Sequence, residues 1–162
     1  MDKNKASYKL KGLPPIFYLN LDEQPERKEC IENQFEYWGI EKYTRISAYD
    51  GRDGRDLGDI LKGRYPDSMS SSEVGCTTSH LKAVTEFLKT DSPCALIMED
   101  DCDISTVSHW RFTWKDFYAK VPYDYDVIQL AIINPASVYL KMHRRFVNDF
   151  STACYMITRR HA

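Results

Sequence analysis

The run Cys94–Met98 (CALIM) constrains the fold of this chain more than any other segment. Five apolar residues follow one another without a polar interruption. A strand of that kind is buried on both faces, as at the centre of a parallel sheet. It ends directly in Glu99-Asp100-Asp101-Cys102-Asp103. Ile16–Leu21 (IFYLNL), with β-branched and aromatic residues, reads as a second buried strand. After it, Pro25 suits the first turn of a helix. Ile31, Phe35 and Trp38 share one face of that helix at i, i+4 and i+7, and Gly39 stands where a C-terminal cap belongs. Tyr43–Ala48 reads as a strand, so the chain opens strand–helix–strand.

Residues 50–72 hold four of the seven glycines and form a long connection, with a short helix expected at Leu57–Leu61. Connections of this length inside a domain are usually functional or mobile. Ser70 and Glu73 form a capping box, and the helix it opens continues to about Lys89 with an apolar stripe of Val74, Leu81, Val84 and Leu88. An aromatic helix near Trp110–Lys120, a strand at Tyr125–Ile133 and a strand at Ala153–Ile157 follow. Thr158 is placed to cap one more helix, so the domain is expected to be C-terminally incomplete at Ala162. The expectation is a flexible leader over 1–12 and one domain over 13–162. Alternating strands and helices imply an α/β fold with a mostly parallel sheet flanked by helices, Rossmann-like in plan. Ligands of such sheets bind beyond the carboxyl ends of the strands.

Composition excludes several classes. Lys plus Arg is 22 against 24 for Asp plus Glu, a net charge of −2, which leaves no electrostatic footprint for nucleic acid. No apolar run approaches the roughly 20 residues of a membrane span. Met1 to Lys11 lacks the apolar core of a signal peptide. The five cysteines are scattered with no C-x-x-C pair, which argues against a disulfide framework and a zinc site. The expected location is cytoplasmic.

The acidic cluster Glu99, Asp100, Asp101 and Asp103 is the sharpest chemical signal. Adjacent carboxylates repel one another, so a buried strand leading into them calls for a compensating cation. Hard divalent ions such as Mg²⁺ or Mn²⁺ prefer such oxygen ligands and bridge to phosphates. A solvated acidic turn is the bland alternative. His80 shares a helix face with Glu73 and reads either as a satisfied structural histidine or as the candidate catalytic residue. Arg27 reads either as a phosphate clamp or as a surface arginine. Gly75 sits mid-helix at a cost of up to about 1 kcal/mol relative to Ala, which points to close approach by another backbone or by a ligand.

Taken together, five segments resemble glycosyltransferase family 25, the lipooligosaccharide and procollagen galactosyltransferase group. They are Ile16-Phe17-Tyr18-Leu19-Asn20-Leu21-Asp22 with Pro25-Glu26-Arg27; Ala48-Tyr49-Asp50-Gly51; the E-x-G-C-x-x-S-H block Glu73–Ala83; Ala95-Leu96-Ile97-Met98-Glu99-Asp100-Asp101; and Thr152–Ala162. The resemblance implies a GT-A-like fold and a UDP-sugar donor, usually UDP-galactose and sometimes UDP-glucose. It implies inverting transfer to a hydroxyl on a glycan or a hydroxylysine-type acceptor. Glu99 and Asp101 then stand in a D-x-D-like motif as ligands of Mn²⁺ (or Mg²⁺). Asn20, Asp22, Arg27, Ala48, Asp50, Gly51, Ser79, His80, Glu99 and Asp100 fall on the nucleotide-sugar side. Inverting transfer needs a general base. Asp124, Asp126 and Asp149 are the remaining acids, and none is nominated.

Two other classes compete. Asp101-Cys102-Asp103-Ile104-Ser105 after a buried strand mimics the nucleophile loop of haloacid-dehalogenase-like phosphohydrolases. A catalytically impaired UDP-sugar-binding module of a larger protein is the non-enzymatic reading.

Overall fold

The computed structural model describes residues 4–53, 68–131, 142, 144–145, 149 and 151–162. Five strands form one sheet: β1 (Ile16–Asn20), β2 (Tyr43–Ser47), β3 (Cys94–Glu99), β4 (Val127–Gln129) and β5 (Cys154–Thr158), in the order β2-β1-β3-β5-β4. β1 pairs in parallel with β2 and β3. β5 is antiparallel to both β3 and β4, so four strands run one way and β5 runs against them. The helices are α1 (Pro25–Trp38), α2 (Ser71–Leu88) and the short α3 (Trp114–Tyr118).

Strand alternation sends successive side chains to opposite faces. Ile16, Tyr18, Leu96, Met98 and Met156 pack with Ile31 and Phe35 of α1 and with Trp114 of α3. Phe17, Leu19, Ile46, Ala95, Ile97 and Ile157 pack with Ala83 and Phe87 of α2. Every residue of β1 is buried, as are the first five of β3. That is why both strands carry apolar side chains on both faces. α1 begins at Pro25 and ends in Gly39 at φ 68°, whose N–H caps carbonyls of the last turn.

α2 departs from the expected stripe. Its capping box is present, with Ser70 Oγ accepting from the Glu73 N–H. Its buried face, however, is Gly75, Thr78, Ser79, His80, Ala83 and Phe87, whereas Leu81 and Leu88 are exposed. Small and hydroxylated residues let the helix lie close to the chain after β2. Thr78 and Ser79 satisfy their hydroxyls on the carbonyls of Val74 and Gly75.

Other differences are local. The expected Trp110–Lys120 helix is a 3₁₀ turn at Ser105–His109 followed by α3 with its own Thr113/Asp116 capping box. The expected strand at 125–133 is ordered as β4 over three residues, and 132–133 lie outside the described residues, as does the helix expected at 57–61. Thr158 ends β5 instead of capping a helix, and its carbonyl accepts from the N–H groups of His161 and Ala162. Ser7–Leu10, read as part of a frayed leader, is docked on the body. Leu10 packs with Trp38 and Val107, and the Lys9 ammonium donates to the carbonyls of Val107, Ser108 and Trp110.

Candidate functional site at the sheet switch point

From β1 the chain passes to β2 on one side of the sheet, and the next strand, β3, lies on the other side of β1. The crevice between the carboxyl ends of β1 and β3 is the switch point where α/β sheets bind ligands. A cleft of about 300 Å³ opens there. Asn20, Arg27, Ala48, Asp50, Gly51, Ser79, Glu99 and Asp100 line it, together with Tyr49, Arg52 and Cys76.

Asn20, the last residue of β1, is almost fully buried. Its amide donates to Asp100 Oδ2 at 2.7 Å and to the Gln24 carbonyl at 3.0 Å. Its Oδ1 accepts from Arg45 Nε at 2.9 Å. Asp100 is also buried, and its second oxygen meets the Arg27 guanidinium. Both Asp100 oxygens are therefore engaged, and its charge is balanced within the protein. The same Arg27 nitrogen lies 3.1 Å from Asp101 Oδ2. Asp22 stands at the rim, bonded to Arg45 at 2.6 Å and to Ser47 Oγ at 2.8 Å. The Arg45 hydrogen bond leads in holding its carboxyl below the usual range.

On the α2 side, Glu99 Oε1 accepts from Thr152 Oγ1 at 2.7 Å and faces His80 Nε2 at 3.4 Å. The His80 hydrogen bond leads in lowering the Glu99 pKa. His80 Nδ1 lies 3.1 Å from the Tyr155 hydroxyl. Burial works against the His80 charge, yet hydrogen bonds and charge from Cys76 and Glu99 outweigh it and push the pKa up to about 9.

The third wall joins the chain after β2 to the start of α2. Tyr49 N–H donates to Ser79 Oγ at 2.8 Å, and Lys82 Nζ donates to the Ser47 carbonyl at 2.8 Å. A Cβ on Gly75 would stand 2.6 Å from Gly51 N and 2.8 Å from Tyr49 O. The glycine that the helix tolerates is thus explained by backbone approach. Asp50 forms a multiply bonded pair with Arg52, which holds its carboxyl down at about 2.

The profile of glycosyltransferase family 25 (LPS biosynthesis protein) matches residues 13–162. The chain belongs to this family. It is 30% identical over 99 residues to a glycosyltransferase 25 family member of Drosophila pseudoobscura pseudoobscura, covering 55% of this chain and 16% of that protein. It is 31% identical over 111 residues to one of Drosophila melanogaster, covering 62% and 18%. With one of Aedes aegypti the identity is 29% over 100 residues, covering 56% and 16%. The matched stretches thus span only 16–18% of the length of these relatives. The family match includes Asp101–Ser105, so a phosphohydrolase nucleophile loop is not needed to explain that segment. There Asp103 accepts from the N–H and hydroxyl of Ser105.

Among the residues the family motifs single out, Asp22, His80 and Asp101 do not line the cleft. Asp22 is tied to Arg45, His80 lies beneath Glu99, and Asp101 is 60% exposed beside Arg27. Arg45, Arg52, Cys76, Thr152 and Tyr155 shape the site but were given no site role from sequence, although Cys76, Thr152 and Tyr155 lie within the family segments. Cys76 carries a further signal, its i, i+4 spacing to His80. Asp124, Asp126 and Asp149 also stand off the cleft, and Asp126 pairs with Arg160 at 2.6 Å. Among the described residues no helix is long and apolar enough to cross a membrane.

Proposed function

We propose that this chain binds a UDP-hexose, with galactose favoured over glucose, and serves inverting transfer of the sugar to a hydroxyl on a glycan or hydroxylysine-type acceptor. The observation that carries this reading is the cleft at the β1/β3 switch point, walled by family-motif residues. Arg27, in the first turn of α1, presents a half-exposed guanidinium at its edge. A guanidinium is suited to bidentate contact with phosphate, and the positive end of a helix favours the same charge. Asp100, itself held by Asn20, pairs with Arg27. The backbone of Tyr49–Gly51, fixed on Ser79, forms the opposite wall.

A Mn²⁺ or Mg²⁺ ion fits the donor set in kind. Asp100 is excluded as a ligand because both its oxygens are engaged. Asp101 offers an exposed carboxylate and Glu99 a half-buried one, and both are hard oxygen donors. When bound, the metal supplies Lewis-acid neutralisation of charge on the departing UDP. The five cysteines are unpaired, which suits a reducing compartment, and a cytoplasmic location is proposed on that ground. Donor binding without turnover is the second reading, since among the described residues no acid lining the cleft is free of a protein partner. Measuring transfer against UDP-sugar hydrolysis separates the two.

Calorimetric titration of UDP, with Mn²⁺ and then with EDTA, tests the reading. Binding that requires the metal is expected. Binding that ignores the metal removes the ion from the account, and no binding in either condition overturns the nucleotide reading.

A further inference from the structure

The geometry points to a second, chemically different metal site in this chain: Zn²⁺ held by Cys76 and Glu99, which line the cleft, and by His80 behind them. Their ligand atoms, one sulfur, one ring nitrogen and one carboxylate oxygen, lie within 4.8 Å of one another. Cys76 and His80 sit one turn apart on α2, so the helix points both to the same side. Glu99 meets them from the end of β3.

The spacing suits an ion better than direct bonding. A charge-assisted N–H···O bond is about 2.7–2.9 Å long, and the His80 Nε2 to Glu99 Oε1 separation is 3.4 Å. Two ligands at Zn–N and Zn–O lengths of about 2.0–2.2 Å with a tetrahedral angle stand about 3.4 Å apart. The pair already has the length of one tetrahedral edge. The outer contacts suit the site too. Metal-binding histidines characteristically engage their other ring nitrogen, and His80 Nδ1 is 3.1 Å from the Tyr155 hydroxyl. The ligating carboxylate is itself held by Thr152 Oγ1 at 2.7 Å.

The ligand set selects the ion. Thiolate plus imidazole plus carboxylate is a borderline-soft set that suits Zn²⁺ over the hard Mn²⁺ and Mg²⁺. Coordination at neutral pH displaces two protons to solvent, the thiol proton of Cys76 and the Nε2 proton of the His80 imidazolium, and leaves Nδ1 carrying the ring proton. Three protein ligands leave a fourth position. Cys76 and Glu99 both line the cleft, so that position faces it. The ion would tie α2 to the end of β3 from inside the site. This inference shares Glu99 and the cleft itself with the nucleotide reading, whereas Asp101 belongs to that reading and Cys76 and His80 as metal ligands belong to this one.

The test is Zn²⁺ titration of the chain by calorimetry, with Co²⁺ as a spectroscopic substitute. One-to-one binding is expected, with a thiolate-to-cobalt charge-transfer band and tetrahedral ligand-field bands. Cys76→Ser should lose the charge-transfer band and weaken Zn²⁺ at least about tenfold. Cys30→Ser, another exposed cysteine, should change neither. Asp101→Asn should keep Zn²⁺ while losing metal-dependent UDP binding, so the two readings fail separately. Because Cys76 is exposed, its serine variant is expected to stay folded, and circular dichroism checks this. Absence of stoichiometric Zn²⁺ binding, or binding that Cys76→Ser and His80→Asn both leave intact, overturns the site.

Discussion

Replacing Gly75 with Ala sets two physical effects against each other. On helix propensity alone, Ala in the middle of α2 should stabilise by up to about 1 kcal/mol. The packing says otherwise. The new Cβ would lie 2.6 Å from Gly51 N, 2.8 Å from Tyr49 O and 3.0 Å from Gly51 Cα. All three are backbone atoms, so no rotamer change relieves the overlap. Overpacking costs about 1–3 kcal/mol, and three rigid contacts place this case in the upper half. The net expectation is a loss of about 1–2 kcal/mol. For a chain of this size that lowers Tm by about 2–8 °C. Tyr49 and Gly51 also line the cleft, so UDP affinity should fall with stability. Gly51→Ala should be worse, because its Cβ would stand 1.7 Å from the Ser71 carbonyl oxygen with no propensity gain in return. Thermal denaturation of both variants is the assay. A Gly75→Ala protein that melts above the parent would refute the close-packing argument.

Three further outcomes are expected. Asn20→Ala should cost about 2–3 kcal/mol in urea denaturation, because it strands a buried Asp100 oxygen and the Arg45 Nε–H at once; a loss below about 0.5 kcal/mol would contradict that bonding. Arg27→Met should weaken UDP binding at least about tenfold, the loss of one charge-assisted contact, and an unchanged titration would remove Arg27 from the diphosphate. His80 has its folded-state pKa raised from 6.5 to about 9, so its contribution is complete below pH 6.5 and lost as pH rises to 9. With EDTA present, stability should therefore decline over that window by up to about 3 kcal/mol, and His80→Asn should flatten the decline; a parent profile that rises there would contradict the sign.

Much of the scaffold could be read from residue order because it rests on local chemistry. Ile16–Leu21 and Cys94–Met98 are apolar on both faces because helices cover both sides of the central strands. Ser70 and Glu73 announce the start of α2, and Pro25 and Gly39 bound α1, since caps depend on neighbouring residues only. Gly75 signalled close approach because nothing else justifies a glycine mid-helix. The reading failed where partners come from afar. The buried face of α2 is Gly75, Thr78, Ser79, His80, Ala83 and Phe87, with Gly75 and Ser79 against the Tyr49–Gly51 backbone and Ala83 and Phe87 against the sheet, whereas the apolar residues Leu81 and Leu88 are exposed. The reversed direction of β5 depends on the path of the chain, which a short apolar run does not carry. Cys76, His80 and Glu99 escape a search by cysteine spacing because two elements supply them. The pairing of Arg27 with Asp100 and Asp101 likewise joins α1 to the turn after β3.

The most direct test of the central claim is a crystal structure of the chain with UDP and Mn²⁺, with anomalous scattering used to locate the metal. The account predicts the diphosphate in the cleft between the carboxyl ends of β1 and β3, within reach of Arg27, and a Mn²⁺ peak against Asp101. Nucleotide bound elsewhere on the surface, or a metal distant from the Glu99–Asp101 turn, would contradict it.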